Sequence, residues 1–433
     1  MRIPSRWWWS RHGRDRSTRI PKQTVPTRLL FVEQFFYPEG WGGAELPRDL
    51  VTHFSRLGWR VQVFCGSDQY VPVDGPPGQD PREEGVRIHR IPSVMRGSDV
   101  RHGKLLRQLW FCAWLAPLLL LRRPPDLFIS QTNPPLVVPL VALAARLWRR
   151  PYLLIAMDVY PELLTASGAL SRGGMAARIL EAVFGWAYRS ATRVVALGPV
   201  MSERIRAKGV RDTSVLEISN WSTGAKGVVR GQVNRLCADL GLQDSFVLVC
   251  AGNMGLAHEF ETLLRGFSSA SRQLPALKLV FIGSGPRLAE VRALVQELNL
   301  ATAVMFLDPV PSDRLPEAIG LADVGVVTLR EGFEGLVVPS RVFGYMSRGV
   351  PVLYIGPRSD IDVLISRHGC GVSVRCGDAA AVSRAIIDAH GNRGGLAELG
   401  RAGQAGFERE LSRERALSRY ESLVRSCLDV PGN

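Results

Sequence analysis

The stretch GVVTLREGFEGLVVPSRVFGYMSRGVPVLYIG, residues 325–356, decides the fold. Two short apolar runs, residues 325–329 and 351–355, flank a polar, Gly-rich loop (330–339) and a short helix (340–348) that stops at Gly349. Strand, helix, strand in so few residues predicts a βαβ unit, with parallel strands and a right-handed crossover. In such sheets ligands sit beyond the carboxyl ends of the strands, where loops feed helix N-termini. That place holds Glu331, Glu334, Pro339, the Ser340 hydroxyl and the Arg341 cation. Backbone N–H groups of a helix beginning at Ser340 suit a phosphate.

The same alternation extends in both directions. Towards the N-terminus of this half, strands are expected at 246–251, 277–282 and 304–307, with helices at 260–274, 287–298 and 313–320. The turns Gly252-Asn253-Met254-Gly255 and Gly283-Ser284-Gly285-Pro286 each follow a strand and precede a helix, as phosphate-cradling turns do. Neither is a full GxGxxG, so the pair counts only together with the βαβ unit. The earlier half repeats the logic, with strands at 29–36, 61–66, 86–91, 126–132, 152–157, 193–197 and 214–218. Gly42-Gly43 lies in the loop after the first of these, before a helix at 45–57, where a ligand could approach the backbone. Asp158 stands at the carboxyl end of the fifth, either as a reacting acid or as a turn and cap residue. Residues 223–232, TGAKGVVRGQ, lack apolar periodicity and read as a linker. The chain thus divides into 1–28 (arm), 29–222 (first domain), 223–232 (linker), 233–406 (second domain) and 407–433 (a last helix and tail). No strand follows that last helix, so its apolar face is expected to cover the first domain.

Composition bounds the rest. At 433 residues, 46% apolar and 22% charged, two globular cores are affordable. The net charge of +14 is unusual, and residues 1–28 carry half of it: eight Lys/Arg against Asp15 alone. This arm reads either as a device for anionic lipid, with Trp7–Trp9 at the interface, or as an extension without function. It lacks the apolar core of a secretory signal. The runs 110–121 and 136–147, each closed by paired Arg, are too short to span a bilayer. They are either core helices or helices lying in the membrane interface. Seven scattered cysteines without CxxC spacing read as reduced thiols of a cytosolic protein. The seven histidines form no HxxxH or HExxH, so no metal site is expected. No nucleic-acid recognition motif accompanies the basic charge.

Two Rossmann-like halves with nucleotide-type turns in the second resemble the GT-B fold, an α/β architecture of two domains facing across a cleft. The segments FYPEGWGGAELPRDLVTHFSRLGWRVQVFCG (36–66), CAGNMGLAHEFETLLRGF (250–267), VFIGSGPRLAEV (280–291) and LADVGVVTL (321–329) resemble the family 4, or group 1, retaining glycosyltransferases. VPSRVFGYMSRGVPVL (338–353) is similar to a subgroup with P-S-K/R here, which includes transferases of colanic-acid, O-antigen and L-fucosamine assembly. The resemblance implies transfer of a sugar from a nucleotide diphosphate sugar, expected to be a UDP-sugar, to a lipid-linked acceptor in cell-surface polysaccharide synthesis. It implies no further cofactor, a cytoplasmic location and a peripheral place at the inner face of the membrane. Gly252, Asn253, Gly255, His258, Gly283, Gly285, Pro286, Glu331, Glu334, Pro339, Ser340 and Gly344 become donor-site residues. Gly42 and Gly43 belong to the acceptor side, and Asp158 and Arg341 are the candidates for catalysis.

The chain departs from the family where chemistry is expected. The paired glutamates of the family signature fall at Leu336 and Gly344, and the cations that hold the diphosphate fall at Asn253 and His258. Charge on the leaving diphosphate is therefore expected to meet Arg341, aided by His258, Ser340 and helix N-termini. Glu331 or Glu334 is left to replace the missing acid. Competing readings are a sugar-nucleotide 2-epimerase of the same fold and an inactive binding partner. An NAD-dependent oxidoreductase would need GxGxxG with an acid about 20 residues on, and that set is missing.

Overall fold

The computed structural model describes residues 26–36, 42–66, 85–92, 101–222, 234–310 and 314–429, with the side chains of 42–45 and 101–104 left aside. The expected linker and nearly all of the basic arm fall outside these residues.

The first domain contains strands β1 (Arg28–Val32), β2 (Arg60–Gly66), β3 (Val86–Ile91), β4 (Leu127–Gln131), β5 (Tyr152–Ile155), β6 (Arg193–Ala196) and β7 (Val215–Glu217). They form one sheet in the order β3-β2-β1-β4-β5-β6-β7, and every pairing is parallel. Its helices are α1 (Gly42–Arg56), α2 (Arg101–Leu121), α3 (Val137–Leu147), α4 (Glu162–Ala166), α5 (Met175–Ser190) and α6 (Pro199–Arg206). The central strands β1, β4, β5 and β6 are buried along nearly all their length, as continuous apolar runs such as LLFV and LFIS require of a sheet covered on both faces, while edge strand β3 is mostly half-buried. Helices α2, α3 and α5 share one core cluster, and α1 covers the opposite face.

The second domain runs through α7 (Arg235–Asp239), β8 (Phe246–Ala251), α8 (Glu261–Ser271), β9 (Leu277–Ile282), α9 (Leu288–Glu297), β10 (Val304–Leu307), α10 (Leu315–Ile319) and β11 (Val324–Thr328). It continues through α11 (Arg341–Met346), β12 (Val352–Ile355), α12 (Asp360–His368), β13 (Gly371–Val374), α13 (Ala379–Gly391) and α14 (Arg393–Gly406). The sheet order is β10-β9-β8-β11-β12-β13, again parallel throughout. In each sheet the strand order reverses once, at β1/β4 and at β8/β11, which opens a crevice at the carboxyl ends.

The opening stretch forms the expected βαβ unit, with β11 paired to β12. Its first residue explains how the crevice is made. Strand β11 pairs with β8 only through Val324 and Gly325. Beyond them the Tyr345 hydroxyl takes over, donating to the Val249 carbonyl at 2.8 Å and accepting from the Ala251 N–H at 3.0 Å. The ring can lie there because residue 325 has no side chain: a Cβ would stand 2.5 Å from the Tyr345 ring.

Several boundaries differ from the sequence reading, and three of them shape the architecture. Helix α1 starts at Gly42, so Gly42 and Gly43 form its first turn instead of the loop before it. The Gly-rich stretch before the last helix is itself helical, as α14. The last helix is divided: a π-helical turn covers Phe407–Leu411, and α15 (Arg413–Leu428) begins after extended Ser412, whose side chain accepts from the Arg415 N–H. A π-turn followed by a fresh N-cap lets the chain change direction at the domain crossing. Helix α15 then buries Leu417, Tyr420, Leu423 and Val424 on the α1 face of the first sheet. Asp49 of α1 anchors it, accepting from Arg413 Nε at 2.6 Å and from Trp221 Nε1 at 3.0 Å.

Candidate active site

The donor-side site is built at the β8/β11 reversal. The loop after β8 brings Asn253 and His258, the last residue of β11 is Thr328, and the first residue of α11 is Arg341. Arg341 Nη2 donates to the Asn253 carbonyl at 2.7 Å and to His258 Nε2 at 3.1 Å, while Nη1 lies 3.0 Å from Cys250 Sγ. Its guanidinium stands over Gly252, 3.5 Å from where a Cβ would be. One cation from α11 thus reaches both loop positions at which the family pattern carries its own.

His258 serves this cation and does not add to it. Its Nδ1 is 2.7 Å from the Thr328 carbonyl, which can only accept, so Nδ1 carries the hydrogen and Nε2 is left to accept from Arg341. Burial, and then the Arg341 charge, push the imidazole down to about 3. The expectation that His258 helps stabilise diphosphate charge is therefore corrected: the ring is neutral and orients Arg341. Its backbone is held as well, since Arg287 Nη1 donates to the His258 carbonyl while the same guanidinium grips Glu290, with Nε at 2.8 Å from Oε2.

The glycines of the second turn have a packing role that the sequence did not reveal. Gly283 and Gly285 take φ of +131° and +151°, and a Cβ on either would fall 2.4–2.5 Å from atoms of residues 252–254. The two turns are laced together by the Met254 N–H to Ser284 carbonyl bond of 2.8 Å and the Arg287 N–H to Met254 carbonyl bond of 3.2 Å. Their close approach is to each other's backbone. Pro286 is exposed in this turn. Gly255 follows Asn253, whose amide nitrogen would meet a Cβ there at 3.3 Å.

The signature loop distributes its residues between two tasks. Glu331 and Ser340 are exposed, and Pro339 is buried. Ser340 makes no capping bond, and α11 has six residues beginning at Arg341, one later than expected. Glu334 is engaged elsewhere: Oε2 accepts from the Gly332 N–H at 2.7 Å, Oε1 is 3.5 Å from Arg204 Nη2, and its carbonyl accepts from Arg204 Nε at 3.2 Å. Glu334 thereby ties the loop to α6 of the first domain. Position 344 faces α10, where a Cβ would stand 3.2 Å from Ile319 Cδ1. Leu336 is buried in the core cluster of the first domain.

That loop carries the donor side to Asp158. Asp158 and Val337 form an isolated antiparallel bridge, and the Val159 N–H donates to the Leu336 carbonyl at 2.9 Å. Beneath them, buried Thr132 Oγ1 accepts from the N–H groups of Met157 at 3.0 Å and Asp158 at 2.9 Å. Among the described residues, nothing donates to the Asp158 carboxylate. Burial pushes it up to about 7, which lets this acid give or take a proton near neutrality. Tyr188 lies behind it, with its hydroxyl 3.4 Å from the Asp158 carbonyl. Lys208 covers the Tyr188 ring at 5.3 Å and grips both Glu162 oxygens at 2.5 and 2.6 Å. Thr132, Tyr188, Glu162 and Lys208 were not singled out from the sequence, where only the MDVYPE run marked the neighbourhood.

A second seam runs beside the first. Asp360, at the start of α12, accepts from the N–H groups of Val200 at 2.8 Å and Met201 at 3.2 Å, capping α6 across the domain boundary. Gly198 is required there, since a Cβ would sit against the Asp360 carboxylate. Burial raises Asp360 to about 6, although both backbone bonds oppose the shift. Among the described residues, no group of three or more His, Cys, Asp or Glu side chains is placed to hold a metal ion.

Two doubly wound parallel sheets, with a cation at one switch point and an acid of the facing domain bridged to the same loop at Val337, define a protein of the GT-B class. The family description "Glycosyl transferase 4-like domain" matches residues 42–221, and "Glycosyl transferases group 1" matches residues 237–406. The chain belongs to this glycosyltransferase family. It is 28% identical over 318 residues to the "Probable glycosyltransferase WbjE" of Pseudomonas aeruginosa, across 71% of this chain and 76% of the relative. It is 27% identical over 360 residues to the 2-deoxystreptamine N-acetyl-D-glucosaminyltransferase of Streptomyces fradiae, across 76% and 84%. Among solved structures, HepE of Anabaena in complex with UDP superposes with a TM-score of 0.68 at 16% identity, over 92% of this chain and all of that one. WaaG, a glycosyltransferase involved in lipopolysaccharide biosynthesis, gives 0.63 at 14%, over 90% and 99%.

Proposed function

We propose that this glycosyltransferase moves a sugar from a nucleotide diphosphate sugar to a lipid-linked saccharide, with retention at the anomeric carbon. The observation that carries the reading is the Arg341 guanidinium, held over Gly252 by Asn253 and neutral His258. As the bond from anomeric carbon to phosphate oxygen breaks, the electron pair leaves with the diphosphate. A fixed cation at that point stabilises the growing charge. The acceptor hydroxyl bonds to the anomeric carbon from the face the diphosphate leaves, and its proton passes to the departing phosphate oxygen. Asp158, carried in from the facing domain, orients the acceptor hydroxyl or a sugar hydroxyl.

The first domain, residues 29–222, is the acceptor side of this proposal, and residues 233–406 bind the donor. A UDP-sugar is the favoured donor because HepE, a structural neighbour, is complexed with UDP. The likeness of VPSRVFGYMSRGVPVL to the P-S-K/R subgroup favours an acceptor of cell-surface polysaccharide assembly at the inner face of the membrane. A thermal-shift screen against UDP-, GDP- and dTDP-sugars tests the donor, because a ligand bound to the native state raises the melting temperature by mass action. Product analysis with and without acceptor then separates transfer from epimerisation, which converts the donor alone. Failure of every nucleotide sugar to shift the melting temperature would overturn the reading.

A further inference from the structure

We propose that the outer faces of α2, α3 and α5 form one surface that docks on an anionic lipid bilayer; this rests on the reading of a lipid-linked acceptor and names the surface that meets the lipid. Helix α2 is two-sided. Phe111, Leu115 and Leu119, spaced by four, are buried in the core, while Leu105, Leu106, Leu109, Trp110, Trp114 and Leu121 are exposed. The choice between core helix and interfacial helix therefore resolves into both, on opposite faces. Helix α3 packs between α2 and α5 and exposes Leu143 and Leu147. Helix α5 adds Met175, Ile179 and Val183, again spaced by four, with Met175 79% exposed. A stripe of this kind across three neighbouring helices exceeds the isolated apolar residues of an ordinary surface.

Charge decides what covers it. Neither α2 nor α3 contains an acidic residue. Exposed Arg122, Arg123, Arg146 and Arg149 gather where these two helices end, beside Arg150, which lies 3.8 Å from Asp126; the Trp148 Nε1 to Leu119 carbonyl bond of 2.9 Å fixes their proximity. A second copy of the chain would set these cations against helices α2 and α3 that hold no carboxylate to pair them. Anionic headgroups meet the cluster directly, while leucines enter the acyl boundary and Trp110 and Trp114 sit at headgroup depth.

The chain direction links this surface to chemistry. Helices α2 and α3 follow β3 and β4, and α5 follows β5 after the short α4, so their first turns lie on the carboxyl-end side of the sheet, the side on which Asp158 stands. Leu105, Leu106, Met175 and Ile179 occupy those early turns and the Arg cluster the far ends. A bilayer on this face runs from the base of the domain to the mouth of the cleft. An amphiphilic acceptor can then present its headgroup to Asp158 while its tail stays in lipid.

The test is sedimentation of the full chain with phosphatidylcholine vesicles, with or without phosphatidylglycerol, beside the variant L106D/W114D/M175D/I179D. All four side chains are exposed, and circular dichroism and the melting temperature check the fold. Wild type is expected to bind phosphatidylglycerol vesicles, with Trp fluorescence shifted to the blue, and the variant about tenfold or more weakly. Transfer to a detergent-solubilised acceptor should stay within about twofold of wild type, which separates this inference from the transferase reading. Equal vesicle binding by the variant would overturn the proposal, since residues 1–28 alone would then suffice. So would a wild-type dimer in sedimentation velocity that the variant dissociates.

Discussion

Replacing Arg341 by Ala tests the centre of the proposed chemistry. The substitution removes the donor to the Asn253 carbonyl (2.7 Å) and to His258 Nε2 (3.1 Å), and the cation over Gly252. Losing one fixed charge-stabilising donor raises a barrier by about 2–3 kcal/mol, which is roughly a 30- to 150-fold loss in kcat/KM. The fold loses less. Residues 252 and 253 are exposed, so water can replace the missing donor, and about 1 kcal/mol of stability is expected to go. A second readout follows from His258. Burial is the larger cause of its depressed basicity and the Arg341 charge the next, so the imidazole should become more basic in the variant and stay below its ordinary 6.5. Arg341→Lys keeps the charge but not the fork that reaches two acceptors, and should fall between. Steady-state transfer kinetics, calorimetry with the nucleoside diphosphate and NMR titration of the imidazole measure all three. Turnover within threefold of wild type together with unchanged diphosphate affinity would refute the placement of the leaving group at Arg341.

The remaining predictions concern the acid and the seams. Asp158→Asn should lower transfer more than donor affinity. Because burial raises the native carboxyl to about 7, wild type is stabilised below the ordinary carboxylate range and loses that stability as pH rises through about 7. The variant should therefore gain on wild type between about pH 4 and 7 and hold that gain above it, by about 1–2 kcal/mol after solvent screening; parallel urea midpoints at every pH would contradict this. Asp360→Ala removes the cap on α6 and should cost about 1 kcal/mol, with Asp360→Asn milder because an acceptor oxygen remains. Asp49→Ala strands Arg413 and Trp221 Nε1 and should cost about 1–3 kcal/mol in urea unfolding, with α15 first to lose hydrogen-exchange protection. No change in either would show that these contacts do not hold the domains and the last helix in place.

The architecture was legible because its signals are local. Apolar runs such as 246–251 and 352–355 form parallel strands on their own composition, and glycines mark the turns between them, so two Rossmann-like halves could be read from the chain. The identity of the cation was legible too, since Arg341 is the basic residue at the α11 start. What surrounds it was not. Arg341 meets Asn253 and His258 across 88 and 83 residues, and no periodicity encodes which carbonyl fixes an imidazole tautomer. His258 therefore read as a helper cation, whereas Thr328 and Arg341 together hold it neutral. Glu334 read as a site acid until the facing domain supplied Arg204, and Gly283 and Gly285 read as a ligand's approach until the neighbouring turn filled the space. Sequence alone determined the strands, the turns and the residue types available at the carboxyl edge. Tertiary structure decided their partners, because hydrogen bonding and burial depend on which distant backbone arrives, and that is set when strands far apart in sequence pair within one sheet and when the two domains meet, as at Glu334 and Arg204.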